Sequence, residues 1–294
     1  MAIAEEVTIL RQPQTESQPA RLSLPYALLS YGLMLIALLV MGLPLYWMLT
    51  AAFKLNSEIY QLPVTWIPHA PTLANFTDAW NAAPFGRYYL NTIITTALGS
   101  GAEILLATTS AYAFAFLRFP KKEWVFLLLL AALMVPDQVT ILTNYLTIAR
   151  FGWVDTYQGI VVPGAAVAYG TFLLRQAFLS QPREVLDAAR VDGAGHLRTL
   201  WSVVIPLARP ALVTFALISI VAKWNNFLWP LVATNRQEMR VLPIGIYRLL
   251  DQEGTTQWGT VMAGTIFVVL PVLIVFLWAQ RHIVEGIAAG AVKG

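Results

Sequence analysis

The sequence predicts an all-α, polytopic membrane protein with six transmembrane helices and a cytoplasmic helical loop between spans 4 and 5. Three observations lead there. The chain of 294 residues is 57% hydrophobic and only 12% charged, against about 25% charged in soluble domains, so it has too few charges to cover a water-facing surface. Its apolar runs are long enough to cross a bilayer core, which takes about 20 residues. Between two of these runs lies a charged, helix-forming island, Arg183 to Pro210, unlike anything else in the chain.

The N-terminal segment, 1–24, is polar and carries both signs, as in Glu5, Glu6, Arg11, Glu16 and Arg21. A cleavable signal would place its apolar region nearer the start, so this segment is expected to be a cytoplasmic tail and the first apolar run a retained span. The six-helix membrane domain is expected over 25–281, and a short cytoplasmic tail over 282–294.

No charge occurs between Arg21 and Lys54, which makes Leu28 to Thr50 span 1, with Pro44 able to kink it. Lys54 to Arg87 is turn-rich, with Pro63, Pro68, Pro71 and Pro84 and the interfacial candidates Trp66 and Trp80. Asn75-Phe76-Thr77 matches a glycosylation sequon, a short pattern that recurs by chance. Span 2 lies within Leu90 to Leu117 and holds a single charge, Glu103. Arg118, Lys121 and Lys122 form a short basic loop. Span 3, Trp124 to about Tyr145, is interrupted at Pro136-Asp137-Gln138, which reads as a broken helix end rather than a proton relay. Span 4 lies in Tyr157 to Phe178. Span 5, about Ala211 to Val232, contains Lys223, Asn225 and Asn226, and Asn235 to Gln257 follows as an outer loop. Span 6, Gly259 to Ala279, has no charge.

Six spans place both termini on one side, and the positive-inside rule chooses which. With the N-terminus inside, the inner segments hold twelve Lys and Arg residues and the outer segments six. The island is then cytoplasmic.

Within the island, Glu184 sits near the positive end of a helix that starts after Ser180 and Pro182. Arg183, Asp187 and Arg190 share one face and are spaced for ion pairs. Ala188 and Ala189 are small, so another surface can approach the backbone. Asp192-Gly193 ends the helix, Gly195 adds a second pivot, and Leu197, Leu200, Trp201 and Val204 fall at helical spacing before Pro206. Periodicity alone allows two structures: a bent two-helix finger that presses into a partner, or an amphipathic helix lying on the membrane.

The spacing favours the finger. Asp187-Ala188-Ala189, three residues, Gly193, nine residues, then Val203-Val204-Ile205-Pro206 resembles the EAA signature of ABC importer permeases, with Asp187 where that signature has Glu. Arg190-Val191-Asp192-Gly193-Ala194 and Pro206-Leu207-Ala208-Arg209-Pro210-Ala211 are similar to the carbohydrate-uptake branch, as are Pro84 to Asn91, Trp224 to Pro230 and the last five residues. The likeness to the smaller maltose-type and glycerol-phosphate permeases runs from about Ala27 to the end.

This resemblance implies a permease subunit without bond chemistry, in the plasma membrane of a bacterium or archaeon. It implies a second, different permease subunit, two ATPase subunits that carry ATP and Mg, and an external solute-binding protein. The chain itself would bind no cofactor; it contains no Gly-x-x-x-x-Gly-Lys-Ser/Thr loop. The loop 180–208 would be the coupling helix, with Glu184, Asp187, Ala188, Ala189, Asp192, Gly193, Ala194 and Pro206 meeting the ATPase. The solute would be a sugar or polyol, or alternatively a glycerol-phosphate ester.

Ionisable groups at membrane depth are costly and point to function, so Glu103 and Lys223 are pathway candidates. Lys223 can instead snorkel to an interface, and Glu103 can be buried against polar helix neighbours. Asn225, Asn226 and Trp229 can bind and stack on a sugar-like solute, or serve helix packing.

Other classes lack support. His69, His196 and His282 are isolated, which excludes a histidine metal site, and the absence of cysteine excludes disulfides, thiolate zinc and a cysteine nucleophile. A net charge of +3 without a basic, aromatic-interleaved block argues against nucleic acid. A membrane enzyme would need a His, Asp or Glu cluster near one face. A stand-alone secondary carrier or channel would need more spans or an ion relay.

Overall fold

The computed structural model describes residues 24–166, 168–250 and 256–291, with side chains to residue 280. The N-terminal tail predicted over 1–24 lies almost wholly outside the described residues. Among the described residues the structure is helical, without strands. The chain divides into two compact units, Met1–Trp47 and Met48–Gly294.

Helix α1, Leu24–Ala52, contains Pro44 and is apolar on every side. The described part of the first unit lies within it. Such a helix suits lipid, where no face needs water.

In the second unit, α2 (Asn56–Ile59) and α3 (Ala74–Ala82) occupy the turn-rich segment. Buried Lys54 donates from Nζ to the Thr65 carbonyl. Glu58 accepts from Thr65 Oγ1 at 3.1 Å and from the His69 N–H at 3.0 Å. Burial pushes the Glu58 carboxyl up, but these two donors and the charges of His69 and Lys54 outweigh it and hold it below its ordinary value. Asn75 is buried, and its Nδ2 donates to the carbonyls of Ala52 and Lys54 at 2.9 and 2.7 Å. Its amide nitrogen is thus committed inside the fold, and the sequon is structural.

Helix α4, Phe85–Phe116, is the central rod. It starts five residues before the expected span because Pro84 can begin a helix but not continue one. Helices α5 (Lys122–Ala132) and α6 (Asp137–Arg150) meet at 95° at Pro136, whose preceding residue is forced out of helical geometry. Helix α7 (Tyr157–Val161) runs through a 3₁₀ turn at Val162–Gly164 and is followed by α8 (Ala168–Leu179). Then come α9 (Arg183–Val191), α10 (His196–Thr199), a π-helical turn at Leu200–Val204 and α11 (Ile205–Leu207). The chain bends by 85° into α12 (Arg209–Trp224).

The predicted span 5 is not continuous. Helix α12 stops at Trp224, and α13 (Leu228–Ala233) begins after a break at Asn225–Phe227. Helix α14 (Leu242–Leu249) precedes α15 (Trp258–Ala291). The last helix passes the expected boundary at Ala279 and takes in most of the predicted C-terminal tail; residues 292–294 lie outside the described residues.

Among the described residues three helices, α1, α4 and Trp258–Gln280 of α15, are long and apolar enough to cross a bilayer. The number rises to six if each bent pair counts as one span.

Helix α4 packs along α8 and α12, and α15 along α12 and α3. One core gathers Phe85, Tyr88, Trp224, Leu242 and Val261, with Trp80 edge-on to Phe267 at 5.6 Å. A second joins Leu174, Phe178, Leu186, Leu200, Val204 and Phe215. Where α8 meets α4 and α12, Gly170 permits the close approach: an added Cβ would lie 2.1 Å from Phe215 and 2.9 Å from Ala107. Small residues of this kind let helix backbones approach within a membrane.

Candidate functional site

Two places bring the predicted residues together: the finger at 183–207 and a polar cavity between α4, α6 and α12.

Pro182 is the residue before α9 and lends its fixed φ to the helix start. Ser180 turns back to the Ala177 carbonyl and caps nothing here. The helix ends in a Schellman turn. Ala194 N–H donates to Ala189 O at 2.9 Å and Gly193 N–H to Arg190 O at 3.0 Å, with Gly193 at φ +72°. The left-handed conformation strains any residue with a Cβ, which is the physical reason for glycine here.

Leu186 and Ala189 face inward, and Ala188 faces out. The two alanines therefore do different work: Ala189 packs into the fold, and only Ala188 offers a small exposed surface. Asp187 pairs with Arg190 at 2.7 Å, both exposed. Glu184, Asp192, Gly193 and Pro206 are exposed and Ala194 is half-buried.

The apolar row of the second half also divides. Leu200 and Val204 enter the core, whereas Val191, Leu197 and Trp201 are 87, 72 and 55% exposed. Gln181 Nε2 ties the finger down by donating to Val204 O at 2.9 Å, and Tyr112 OH meets His196 Nδ1 at 3.2 Å. The result is a braced projection with an exposed apolar patch, the pattern of an interaction surface.

The polar cavity holds about 290 Å³ and is lined by Thr95 and Gly99 of α4, Asp137, Gln138 and Asn144 of α6, Gly164, Lys223, Asn226 and Trp229. Lys223 Nζ lies 3.1 Å from Glu103 Oε2 and donates to Gly164 O at 2.7 Å. Ser219 Oγ donates to the same Glu103 oxygen at 2.8 Å. Lys223 therefore does not snorkel; its ammonium is held inward by an anion and a carbonyl. Glu103 is 5% exposed and stands behind Lys223, off the cavity wall. Trp229 Nε1 is shared between Gly159 O and Ile160 O at 3.2 and 3.1 Å, which fixes the indole on the wall. Asn225 is turned away, with Nδ2 donating to Val221 O at 2.9 Å at the end of α12. Among the described residues no three His, Cys, Asp or Glu side chains form a metal-holding group.

Sequence reasoning missed Thr95, Asn144 and Gly164. A signal for the first existed. Asn91, Thr92, Thr95, Thr96, Ser100 and Glu103 recur at helical spacing inside an apolar span and are all buried in one polar stripe of α4.

The profile of the family described as "Binding-protein-dependent transport system inner membrane component" matches residues 103–288. The chain belongs to this family. As an inner membrane component it is a transport permease. It is similar to the sn-glycerol-3-phosphate transport system permease protein UgpE of Yersinia pestis bv. Antiqua (strain Antiqua), at 35% identity over 262 residues, covering 87% of this chain and 93% of that one. The protein of the same name from Escherichia coli O1:K1 / APEC is 32% identical over 265 residues, covering 88% and 94%. Among solved structures, the component shares its fold with a chain of a bacterial ABC transporter involved in the import of the acidic polysaccharide alginate. That match has a TM-score of 0.79 at 23% identity and covers 90% of this chain and 98% of the other.

Proposed function

We propose that this inner membrane component forms half of the translocation pathway of an ATP-driven importer and receives force through the finger at 183–207. The observation that carries this reading is mechanical continuity. The exposed patch of the finger leads through the elbow at Ala208 into α12, whose last turn delivers Lys223 to the polar cavity. Glu184, Asp187, Ala188, Asp192, Gly193 and Pro206 present the surface that a separate ATPase subunit would grip, and Ala189 and Ala194 hold its shape. Nucleotide and Mg belong to that partner. A second permease completes the pathway and an external binding protein delivers the solute; loaded receptor and nucleotide would shift the population toward the outward-open state. Both termini and the finger lie in the cytoplasm on this reading.

Lys223, Asn226 and Trp229 meet the solute in the cavity, and Glu103 positions Lys223. Two amide or amine donors beside a fixed indole suit a hydroxylated ring or chain, so the solute is a sugar or polyol. A glycerol-phosphate ester is the second reading, favoured by the names of the relatives at 35 and 32% identity.

The test is reconstitution of the chain with its candidate ATPase, second permease and receptor. Ala188→Trp is expected to abolish uptake and receptor-stimulated ATP hydrolysis while the isolated permease melts as wild type. Wild-type uptake in that variant, or full activity of the chain as a lone oligomer, would overturn the coupling role.

A further inference from the structure

Helix α14 carries a second feature that the transport reading leaves unused. Arg240 lies in the extended stretch before the helix, Ile244 within it and Arg248 in its last turn. They open onto a cavity of about 340 Å³ closed by Leu231, Tyr247 and Leu250. Ile244 is buried and forms the floor.

Arg240 Nε is enclosed, yet it donates to no acceptor among the described residues. Neither arginine forms an ion pair among them. An enclosed N–H donor without an acceptor is costly, so the half-buried guanidinium calls for an acceptor from elsewhere. The stem of Arg240 is held in place: its carbonyl accepts from Asn91 Nδ2 at 2.8 Å and its N–H donates to Gln237 O at 3.2 Å. The guanidinium is thus presented from a fixed backbone. A guanidinium fork matches carboxylate or phosphate oxygens in pairs. The apolar floor and the Tyr247 edge give a carbon skeleton somewhere to rest, and the volume falls at the small end of ligand pockets, about 300–1,000 Å³.

We propose that this cavity is an oxyanion-binding site that receives the carboxylate or phosphate of a small hydroxylated solute. The proposal rests on the reading above that the segment 235–257 faces the side from which solute arrives. It divides recognition between two places. In the polar cavity Lys223 is already neutralised by Glu103 and Asp137 adds a negative charge, so no free cation waits there for an acid group. The arginine pair offers two.

The experiment is equilibrium binding to the full assembly in nanodiscs, with glucuronate against glucose and sn-glycerol 3-phosphate against glycerol. Each acid-bearing probe is expected to bind at least tenfold more tightly than its uncharged counterpart. Arg240→Gln/Arg248→Gln should erase that difference and leave the neutral probes unchanged, and Arg248→Gln alone, at an exposed position, should narrow it without affecting the fold. Equal binding of acid and neutral probes, no binding of either, or a preference that survives the double variant would overturn the site. So would loss of receptor docking with acid-probe binding unchanged, since a protein carboxylate would then be the occupant. Failure here with ATP-coupled uptake intact leaves the permease reading standing; failure to assemble with an ATPase removes that reading instead.

Discussion

Lys223 Nζ lies 3.1 Å from Glu103 Oε2, joining the last turn of α12 to the middle of α4 inside the fold. Breaking a buried pair by removing one partner leaves an uncompensated charge, a loss of about 3–5 kcal/mol. Glu103→Leu and Lys223→Met should therefore each lower the melting temperature of the purified permease steeply. The double variant should recover most of the loss. Equal destabilisation by the double and single variants would show that the two charges are not coupled.

Gly193 is held at φ +72° with open space where a Cβ would stand. Only backbone strain then penalises Gly193→Ala, by about 1–2 kcal/mol. Hydrogen exchange should quicken at Gly193 and Ala194, whose amides close the turn, and stay unchanged in α4. Gly193→Asn, which tolerates this conformation better, should lie between the two.

Gly170→Ala tests the junction of α8 with α4 and α12. Its Cβ would collide with Phe215 and Ala107, and overpacking of this kind costs about 1–3 kcal/mol. Adding Phe215→Leu should restore part of the melting temperature. A fully tolerated Gly170→Ala would mean that α8 sits farther away.

The carboxyl of Glu58 is held below its ordinary value in the folded chain. Its stabilising effect is therefore present above the unfolded value of about 4.3 and is lost as pH falls through the lower folded value. Protection of the His69 amide, which donates to this carboxylate, should fall relative to its intrinsic exchange rate as pH drops through that lower folded value. In Glu58→Gln that protection should already be low at neutral pH and change little with acid.

Much of this architecture is legible in the residues, and the exceptions have physical causes. Helices α1, α4 and α15 announce themselves by length and apolarity. Gly193 is legible because few other residues accept a left-handed turn. The break after Trp224 is not, since Asn225 and Asn226 also occur within helices, and only the packing of α13 against α6 and α7 reveals it. The pairing of Glu103 with Lys223 was one of several arrangements open to two charges 120 positions apart. The different roles of Ala188 and Ala189 follow from which side of α9 meets Leu200 and Val204, a tertiary fact that no local pattern contains. The arginine cavity is hidden for the same reason: in the sequence its two arginines are only charges in a loop.

Helix α12 is 16 residues long, about 24 Å at 1.5 Å per residue. It is fixed at one end to an elbow and at the other to an ammonium. A rotation of about 5° at the elbow would carry the far end about 2 Å over that length, more than the slack of a hydrogen bond. A displacement of that size is enough to exchange one set of partners for Lys223 for another. On the proposed coupling role, α12 would act as a lever whose long arm multiplies a slight tilt at the finger into a change of contacts at Lys223.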